Sequence, residues 1–353
     1  MAAALSACSS SSQSLPVTGA VANTTANATA GSMDAWHRAL LQKKLPHAGC
    51  FRATYPSAQW AQIPCGTPPH LLYPPQPLRN MKKGLGQNVG DGRDFTADTS
   101  PKVMSMAIGS FPKVKGVKTV QSQGCCGEQG LNSYTLQLNS DFFQTAACGT
   151  LQNCVGWSQF VYENPPGLSE GALFIQDWLV PTNGQNFGSC PPGKGWENVG
   201  FGCVQNSPGG VYIPNISVTD LAQVVETGMA ASTGDSVYLS AGSYEYGMQN
   251  VQNDGITDLS QHWEGAEFNV IGNGGGDIAS FNAGSTITVN IQADTGFKTK
   301  PTCPANSGTT GETNNLNFVN APAQHPKLQY PSVYFTMKSV SKGKTSCETM
   351  KGL

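Results

Sequence analysis

Beyond residue 100 the chain alternates apolar and polar residues with a period of two, and this feature restricts its fold most. Successive side chains of a β-strand point to opposite faces, so the alternation predicts strands, which glycine- and asparagine-rich turns separate. The predicted strands are residues 132–141, 157–163, 172–180, 235–240, 266–271 and 285–292. Many strands with few helical periods predict an all-β fold, an antiparallel β-sandwich or jelly roll.

Composition divides the chain into four regions. Residues 1–34 combine the remnant of an export signal with a linker rich in Ser, Thr and Ala. Residues 35–100 are basic and rich in proline, so we expect a largely irregular arm or pro-segment that lies on another part of the protein. Residues 101–340 form the predicted sandwich, and residues after 340 form a C-terminal tail (341–353). Within the sandwich only residues 218–229 match a helical pattern, and their β-branched residues make a helix there less favourable.

Eleven cysteines predict a disulfide-bonded, exported protein, because the cytosol keeps thiols reduced. The sequence contains neither the paired CxxC motifs nor the HExxH motif of zinc sites, so no metal site is predicted and no cofactor is expected. The adjacent Cys125 and Cys126 are expected to bond to different partners. Three close pairs are predicted disulfides: Cys50–Cys65, Cys148–Cys154 and Cys190–Cys203.

Residues 5–8 (LSAC), followed by four serines, resemble a bacterial lipobox, in which the cysteine carries a lipid. The basic and apolar parts that normally precede such a cysteine are missing, so two interpretations stay open. Either Cys8 is lipidated and anchors the chain, or the similarity is accidental. The sequence has no run of about 20 apolar residues that would span a membrane. We therefore expect a secreted, cell-surface or periplasmic protein, with Cys8 as the candidate lipid anchor.

The charges are distributed unevenly along the chain. Residues 35–120 contain 12 Lys/Arg against three acids, whereas residues 121–297 contain one basic side chain against 16 acids. From residue 298 onward seven lysines face two acids. A nucleic-acid partner is not expected, because the acidic middle region could not neutralise phosphates. A basic segment that precedes an acidic sandwich suggests instead that the two parts attract each other.

Several predicted strands have one aliphatic row of side chains, which predicts the core, and one row that mixes tryptophans, amides and carboxyls. Aromatic rings mixed with amides are typical of a groove that binds an extended peptide or a sugar chain. The alternative is that the Pro-rich arm covers these rings for stability alone. The candidate substrate-binding residues are Trp157, Gln159, Trp178, Trp263 and Asn269.

Four segments resemble the fungal glutamic peptidases of the eqolisin type. Residues 135–142 (TLQLNSDF) are similar to the strand that carries that family's catalytic glutamine, and residues 154–163 (CVGWSQFVYE) to the strand that follows it. Residues 265–270 (GAEFNV) resemble the family's Ala-Glu-Trp segment with the catalytic glutamate, and residues 281–289 its final strand. Plant neprosin-type glutamic peptidases, which use two glutamates, are a second comparison.

The resemblance implies a concanavalin-like β-sandwich and an endopeptidase that acts on polypeptides at acid pH. It places the catalytic glutamate at Glu267 and the catalytic glutamine at Gln137. Glu267 would activate water as a general base, and Gln137 would donate an amide N–H to the developing oxyanion. Glu163 and Asp177 are further carboxyls on neighbouring predicted strands, and Asp177 belongs to an aliphatic row.

Two other functions fit the same features. One is a non-catalytic, lectin-like module that binds a glycan through Trp157, Trp178 and Trp263, and the other is a structural protein of the cell surface. For the basic region 35–120 two roles stay open. It either covers the acidic cleft and is released on acidification, or remains permanently docked.

Overall fold

The computed structural model of the chain describes residues 30–76, 88–124, 126–249, 256–321, 328–340 and 345–353. These residues form two large sheets that pack face to face, with little helix. The predicted all-β sandwich is confirmed.

In the described residues the helical elements are α1 (Ala30–Gln42) and three 3-10 helices, Ala146–Cys148, Val218–Gln223 and Leu259–Gln261. The strands in chain order are β1 (Gly49–Thr54), β2 (Ala61–Ile63), β3 (Asn88–Gly90), β4 (Ala97–Asp98), β5 (Met106–Lys115), β6 (Val120–Gln123), β7 (Gly130–Leu131), β8 (Tyr134–Ser140), β9 (Cys154–Asn164), β10 (Glu170–Pro181), β11 (Glu197–Asn198), β12 (Cys203–Asn206), β13 (Val211–Pro214), β14 (Val224–Met229), β15 (Ser236–Ala241), β16 (Tyr244–Gln249), β17 (Gly265–Ile271), β18 (Ile278–Phe281), β19 (Thr286–Asp294), β20 (Thr313–Val319), β21 (Ser332–Lys338) and β22 (Cys347–Met350).

The larger sheet has the strand order β2-β1-β16-β15-β14-β5-β19-β21-β20-β18-β6-β7, with β22 also paired to β21 and β3 to β20. The smaller sheet has the order β11-β12-β10-β9-β8-β17-β4, with β13 also paired to β10. Neighbouring strands are antiparallel, except that β18 and β20 run parallel. The four long central strands of the smaller sheet carry the candidate site.

Aromatic side chains of the smaller sheet fill space that glycines of the larger sheet leave open. Phe268 of β17 packs on Gly109 of β5, and Phe160 of β9 packs on Gly228 of β14. In both places a Cβ atom on the glycine would overlap the ring, so the close approach requires glycine. Burial of this apolar surface determines which faces of β9 and β17 point into the core. The opposite faces consequently carry the polar residues.

All six strands predicted from the alternation are present, as β8, β9, β10, β15, β17 and β19. The helix considered for residues 218–229 is wrong. Only Val218–Gln223 is helical, as a 3-10 helix, and β14 follows between β15 and β5. The β-branched residues of β14 favour a strand, and pairing on both sides supplies its backbone hydrogen bonds.

The Pro-rich region contributes strands to both sheets. In the larger sheet β1 pairs with β16, and β3 pairs with β20. In the smaller sheet β4 pairs with β17. Trp36 and Leu40 of α1 pack on Ala53 of β1, which fixes the helix to the larger sheet. The expected C-terminal tail also contains a strand, β22, paired with β21.

The three predicted disulfides, Cys50–Cys65, Cys148–Cys154 and Cys190–Cys203, are present. A fourth, Cys303–Cys347, connects the segment before β20 to β22. Cys126 is also disulfide-bonded, whereas Cys125 lies outside the described residues, so the expected partners of this adjacent pair stay a prediction. These bonds fit an oxidising compartment.

Glu226 of β14 is a carboxyl inside the apolar core between the sheets. It is paired in register with Gly109, whose open side faces Phe268 of the smaller sheet. Glu226 is fully buried, and neither of its carboxyl oxygens has a hydrogen-bond partner among the described residues. Burial raises the pKa of Glu226 well above its ordinary value. The native protein therefore binds a proton here that the unfolded chain releases above about pH 5.

Glu226→Gln is expected to reduce the pH dependence of stability. The raised pKa means that the wild type loses stability as pH rises above the ordinary pKa of a carboxyl, because the native state alone keeps this proton. The glutamine variant lacks this contribution, so its free energy of unfolding should depend less on pH. Denaturant unfolding at several pH values measures the difference. Glu197→Gln, at an exposed position, is the control, and equal pH slopes for wild type and Glu226→Gln would contradict the assignment.

Candidate functional site

Four polar side chains of β8 and β17 lie together on the outer face of the smaller sheet. In the antiparallel register Gln137 is opposite Asn269, and Asn139 is opposite Glu267. Because Phe268 points into the core, the alternation turns these side chains to the other face. Gln137 and Glu267 therefore share one surface.

Three of the candidate substrate-binding residues continue this face on β9 and β10. Trp157 is opposite Trp178, and Gln159 is opposite Gln176. The two indole rings lie 6.5 Å apart, and Phe201 stacks on Trp178 at 5.7 Å between ring centroids. Both tryptophans are fully buried, so in this structure neither ring is open to solvent.

The placement of Trp263 on this face is wrong. Its ring lies in the core between the sheets, 5.5 Å from the ring of Phe160. The 3-10 helix Leu259–Gln261 immediately precedes it, and the Trp263 N–H donates to the carbonyl of Leu259. The backbone is therefore not extended at this residue, and the alternation counted backwards from Glu267 does not apply to it.

The carboxyl of Glu267 is held by residues 307–312, which we call the covering loop. Its Oε2 accepts backbone N–H bonds from Thr309 at 2.7 Å and from Thr310 at 3.1 Å. The same oxygen accepts from Thr309 Oγ1 at 3.0 Å and from Asn139 Nδ2 at 3.4 Å. Four donors thus converge on one oxygen of a side chain that is 1% exposed. Such an arrangement stabilises negative charge at that oxygen.

Gln137 belongs to the same hydrogen-bond network. Its Nε2 donates to Glu312 Oε2 at 3.4 Å and to Thr135 Oγ1 at 3.2 Å. Its Oε1 accepts from Thr310 Oγ1 at 3.0 Å. Thr310 therefore bridges the two candidate catalytic residues, because it also donates its backbone N–H to Glu267.

Asp94 and Glu312 are buried carboxyls of this site that the sequence analysis did not single out. Asp94 accepts from Asn269 Nδ2 at 3.1 Å and from the Gly90 N–H at 3.2 Å. Burial, followed by the charge of Glu267, raises the pKa of Asp94 well above its ordinary value. Both residues lie outside the predicted strands, where alternation carries no information. The one available signal was that Asp94 is an acid within a basic region.

The environment of Glu312 also raises its pKa, to about 7. Burial is the largest cause, and hydrogen bonds from Thr310, Gly276 and Gln137 act in the opposite direction. Glu163, at the far end of the same face, has its pKa raised to about 7 by burial and then by Glu128. The outer face thus carries several carboxyls that can be protonated near neutral pH.

Asp177 lies on the core side of the sheet, as its aliphatic row predicted. It is 2% exposed, and Ser158 Oγ donates to its Oδ1 at 2.7 Å. The alternation of β10 separates it from the face of Gln176 and Trp178. Asp177 is therefore not part of the site around Glu267.

An extended part of the Pro-rich arm, residues 69–76, crosses the outer face, and we call it the inserted segment. Three of its carbonyl groups accept from side-chain amides of the sheet: Pro69 from Asn206 (3.0 Å), Leu71 from Gln176 (3.1 Å) and Tyr73 from Gln159 (2.7 Å). The Tyr73 N–H donates to Gln176 Oε1 at 3.0 Å. Side-chain amides of the sheet therefore bind backbone groups of the segment. Any extended polypeptide carries the same backbone groups.

Loop backbone binds the other side of the inserted segment. Gly275 donates its N–H to Leu72 O at 2.8 Å, Gly311 to Pro74 O at 3.0 Å, and Gln76 donates to Thr309 O at 2.7 Å. The segment is thus held between the sheet and these loops. Its partners include two residues of the covering loop, so the segment and the covering loop support each other above Glu267.

Tyr73 is the side-chain anchor of the inserted segment. It is fully buried, and its ring packs against Val161, Ala172 and Phe174. Its hydroxyl donates to Asn273 Oδ1 at 3.3 Å. A pocket with an apolar wall and one polar end fits a phenol ring.

Among the described residues, no group of three or more His, Cys, Asp or Glu side chains is arranged to hold a metal ion. No helix of the described ranges is long and apolar enough to cross a membrane. Cys8, the candidate lipid anchor, lies outside the described residues. No protein-family model matches the chain, and comparison with curated proteins finds no similar sequence.

Tyr73→Ala is expected to loosen the inserted segment. Removing a buried aromatic side chain typically costs about 3 kcal/mol and leaves a cavity. Hydrogen exchange should therefore become faster at the amides of Gly275 and Gly311, which donate to the segment, and stay unchanged at Val289 in the core of β19. Mass spectrometry of exchanged peptides measures both. Tyr244→Ala, at a partly exposed position of β16, is the control. Unchanged protection of Gly275 and Gly311 would show that Tyr73 does not anchor the segment.

Proposed function

We propose that this protein is an exported endopeptidase of the glutamic type, which acts at acid pH on extended polypeptides. The observation that supports this most is the position of Gln137 and Glu267 in one hydrogen-bond network next to a bound stretch of extended polypeptide. The amides of Gln159 and Gln176 bind backbone groups, which fits a substrate recognised along its main chain.

In the proposed reaction Glu267 takes a proton from a water molecule while the water oxygen attacks the carbonyl carbon of the scissile amide. Gln137 donates its N–H to the oxygen that becomes negative. Glu267 then gives the proton to the leaving nitrogen as the C–N bond breaks. Glu267 ends the cycle ionised again, so the only net reactant besides the peptide is water.

Gln137 and Glu267 are each 1% exposed, so the proposed reaction requires an opening step. The covering loop caps Glu267, and the inserted segment fills the adjacent groove. The bonds between segment and groove are amide and apolar contacts, which a change of pH does not break directly. The basic arm and the acidic sandwich carry opposite charges, so we propose that acidification weakens their attraction and allows the arm to be cut or lifted.

A glycan-binding module remains the second candidate, with Trp157 and Trp178 as the platforms for sugar rings. That function needs ring faces that a sugar can reach. Trp157 donates its indole N–H to Thr309 Oγ1 of the covering loop, and Phe201 covers Trp178. Because a polypeptide already occupies this face, the peptide substrate is the better supported proposal.

Glu267→Gln is expected to lower peptide cleavage at acid pH by at least about 100-fold, since it removes the general base. Gln137→Ala should lower it by about 100-fold through loss of the oxyanion donor. To measure cleavage, each variant is incubated with denatured protein at about pH 3 to 6, the range in which free carboxyls titrate, and the products are analysed by mass spectrometry.

Glu197→Gln and Gln185→Ala, at exposed positions outside the site, serve as matched controls and should keep wild-type cleavage. Circular dichroism establishes that each variant is folded. Equal cleavage by wild type and Glu267→Gln would reject the peptidase proposal. Retention of the folded protein on immobilised glycans without any cleavage would favour the lectin-like alternative.

Acidification is expected to produce a cut between residues 35 and 120 in the wild type, together with the onset of cleavage. Intact-mass measurements over time after a drop in pH detect both. The Glu267→Gln variant should remain uncut if the protein processes itself. Full activity of a chain that stays intact would show that the arm is a permanent part of the fold and not a removable cover.

A further inference from the structure

Glu267 and Asp94 each keep one carboxyl oxygen without a donor. The Oε2 of Glu267 accepts four hydrogen bonds, whereas its Oε1 has no hydrogen-bond donor among the described residues. The Oδ1 of Asp94 accepts hydrogen bonds from Asn269 and Gly90, whereas its Oδ2 has no hydrogen-bond donor among the described residues. Both side chains are almost completely buried. An unsatisfied buried carboxylate oxygen is costly, so two of them in one place call for an explanation.

The two carboxyls lie against each other. Burial, followed by the nearby carboxyl of Glu267, raises the pKa of Asp94. Gly308 of the covering loop packs over both, because a Cβ atom on it would lie 2.6 Å from Glu267 Oε1 and 2.9 Å from Asp94 Cβ. A proton held between the carboxyls would give each of these oxygens a partner.

Among the described residues, no positive charge is paired with these two carboxyls. In the described part of the chain neither forms an ion pair, and the nearest basic side chain along the sequence, Arg93, pairs with Asp91. The next titratable group is Glu312, which Thr310 links to Glu267. Asn139 and Asn269 face the pair from β8 and β17, and both are neutral. Two adjacent carboxylates without a cation repel each other, which favours retention of one proton.

We infer that Asp94 and Glu267 share a single proton, so that Asp94 is a positioning residue that determines when Glu267 can act as a base. The singly protonated pair presents one acid and one carboxylate. Loss of the shared proton at higher pH leaves two repelling charges, and gain of a second proton at low pH leaves no base. The number of protons bound by the pair does not depend on the proposed peptidase function. The role of Glu267 as a base, in contrast, rests on that function.

The test counts protons with Asp94→Asn, Glu267→Gln and the double variant. Both substitutions preserve shape, and the new amide N–H can donate where the shared proton was. Between about pH 6 and 8 unfolded carboxyls are ionised, so each proton bound only by the native state makes the unfolding constant rise tenfold per pH unit. Denaturant unfolding measures this slope, and an infrared titration of protonated carboxyl groups gives the count without unfolding. Asp98→Asn, in the same segment but partly exposed, is the control.

Sharing predicts that each single variant binds one proton fewer than the wild type, and that the double variant also binds only one fewer. Loss of two protons in the double variant would mean that the carboxyls are protonated independently. Retention of the proton in Glu267→Gln would mean that Asp94 holds it alone. No loss in Asp94→Asn would mean that no proton is shared. Each of these three results overturns the inference, even where the peptide-cleavage assay is negative.

The same variants separate this inference from the peptidase proposal. Where wild type cleaves peptides, its rate should fall as the shared proton is lost at higher pH, and Asp94→Asn should lack this fall. An unchanged pH profile in Asp94→Asn would reject the role of Asp94 in activity while leaving the proton count to stand on its own measurement. A merely structural effect of Asp94 would lower the rate equally at all pH values.

Discussion

Burial of polar groups on the outer face of the smaller sheet is the constraint on which the site depends. A buried amide or carboxyl without a partner is costly, so these groups need hydrogen-bond partners from above the sheet. The inserted segment and the covering loop supply these partners, through the carbonyl of Tyr73 for Gln159 and the amides of Thr309 and Thr310 for Glu267. In the described arrangement the arm therefore completes the site, and it also contributes strands to both sheets.

The same burial makes the protein an unusual acid-base system. Burial raises the pKa of Asp141, Glu163 and Glu312 to about 7, and it raises the pKa of Glu226 well above its ordinary value. The native state therefore holds protons that the unfolded chain releases above its ordinary carboxyl pKa values. Stability from these groups increases as pH falls from about 7 towards 4.5, which suits a protein that works in an acidic medium. The proposed peptidase and the fold would thus favour the same conditions.

The inserted segment connects the fold to the proposed function. Its backbone is bound by side-chain amides on one side and by loop amides on the other, and one aromatic anchor fills a pocket. Under the proposed function, a substrate would be bound in this groove mainly through its main chain. The chain itself occupies this groove, so the described arrangement is closed, and access to Glu267 depends on moving the arm or the covering loop.

The sequence by itself determined six strands, their two faces and the three short-range disulfides, because alternation and close cysteine spacing are local properties. It therefore placed Gln137 and Glu267 on one surface. Only the tertiary structure decided the rest. Trp263 turned into the core because a helical turn interrupts the alternation before β17. Asp94, Glu312 and the inserted segment reached the site from loops whose positions depend on pairing with strands far away in the chain, as β3 with β20. Such long-range pairing leaves no periodic signal in the sequence, since it is set by packing and by the need to satisfy buried polar groups.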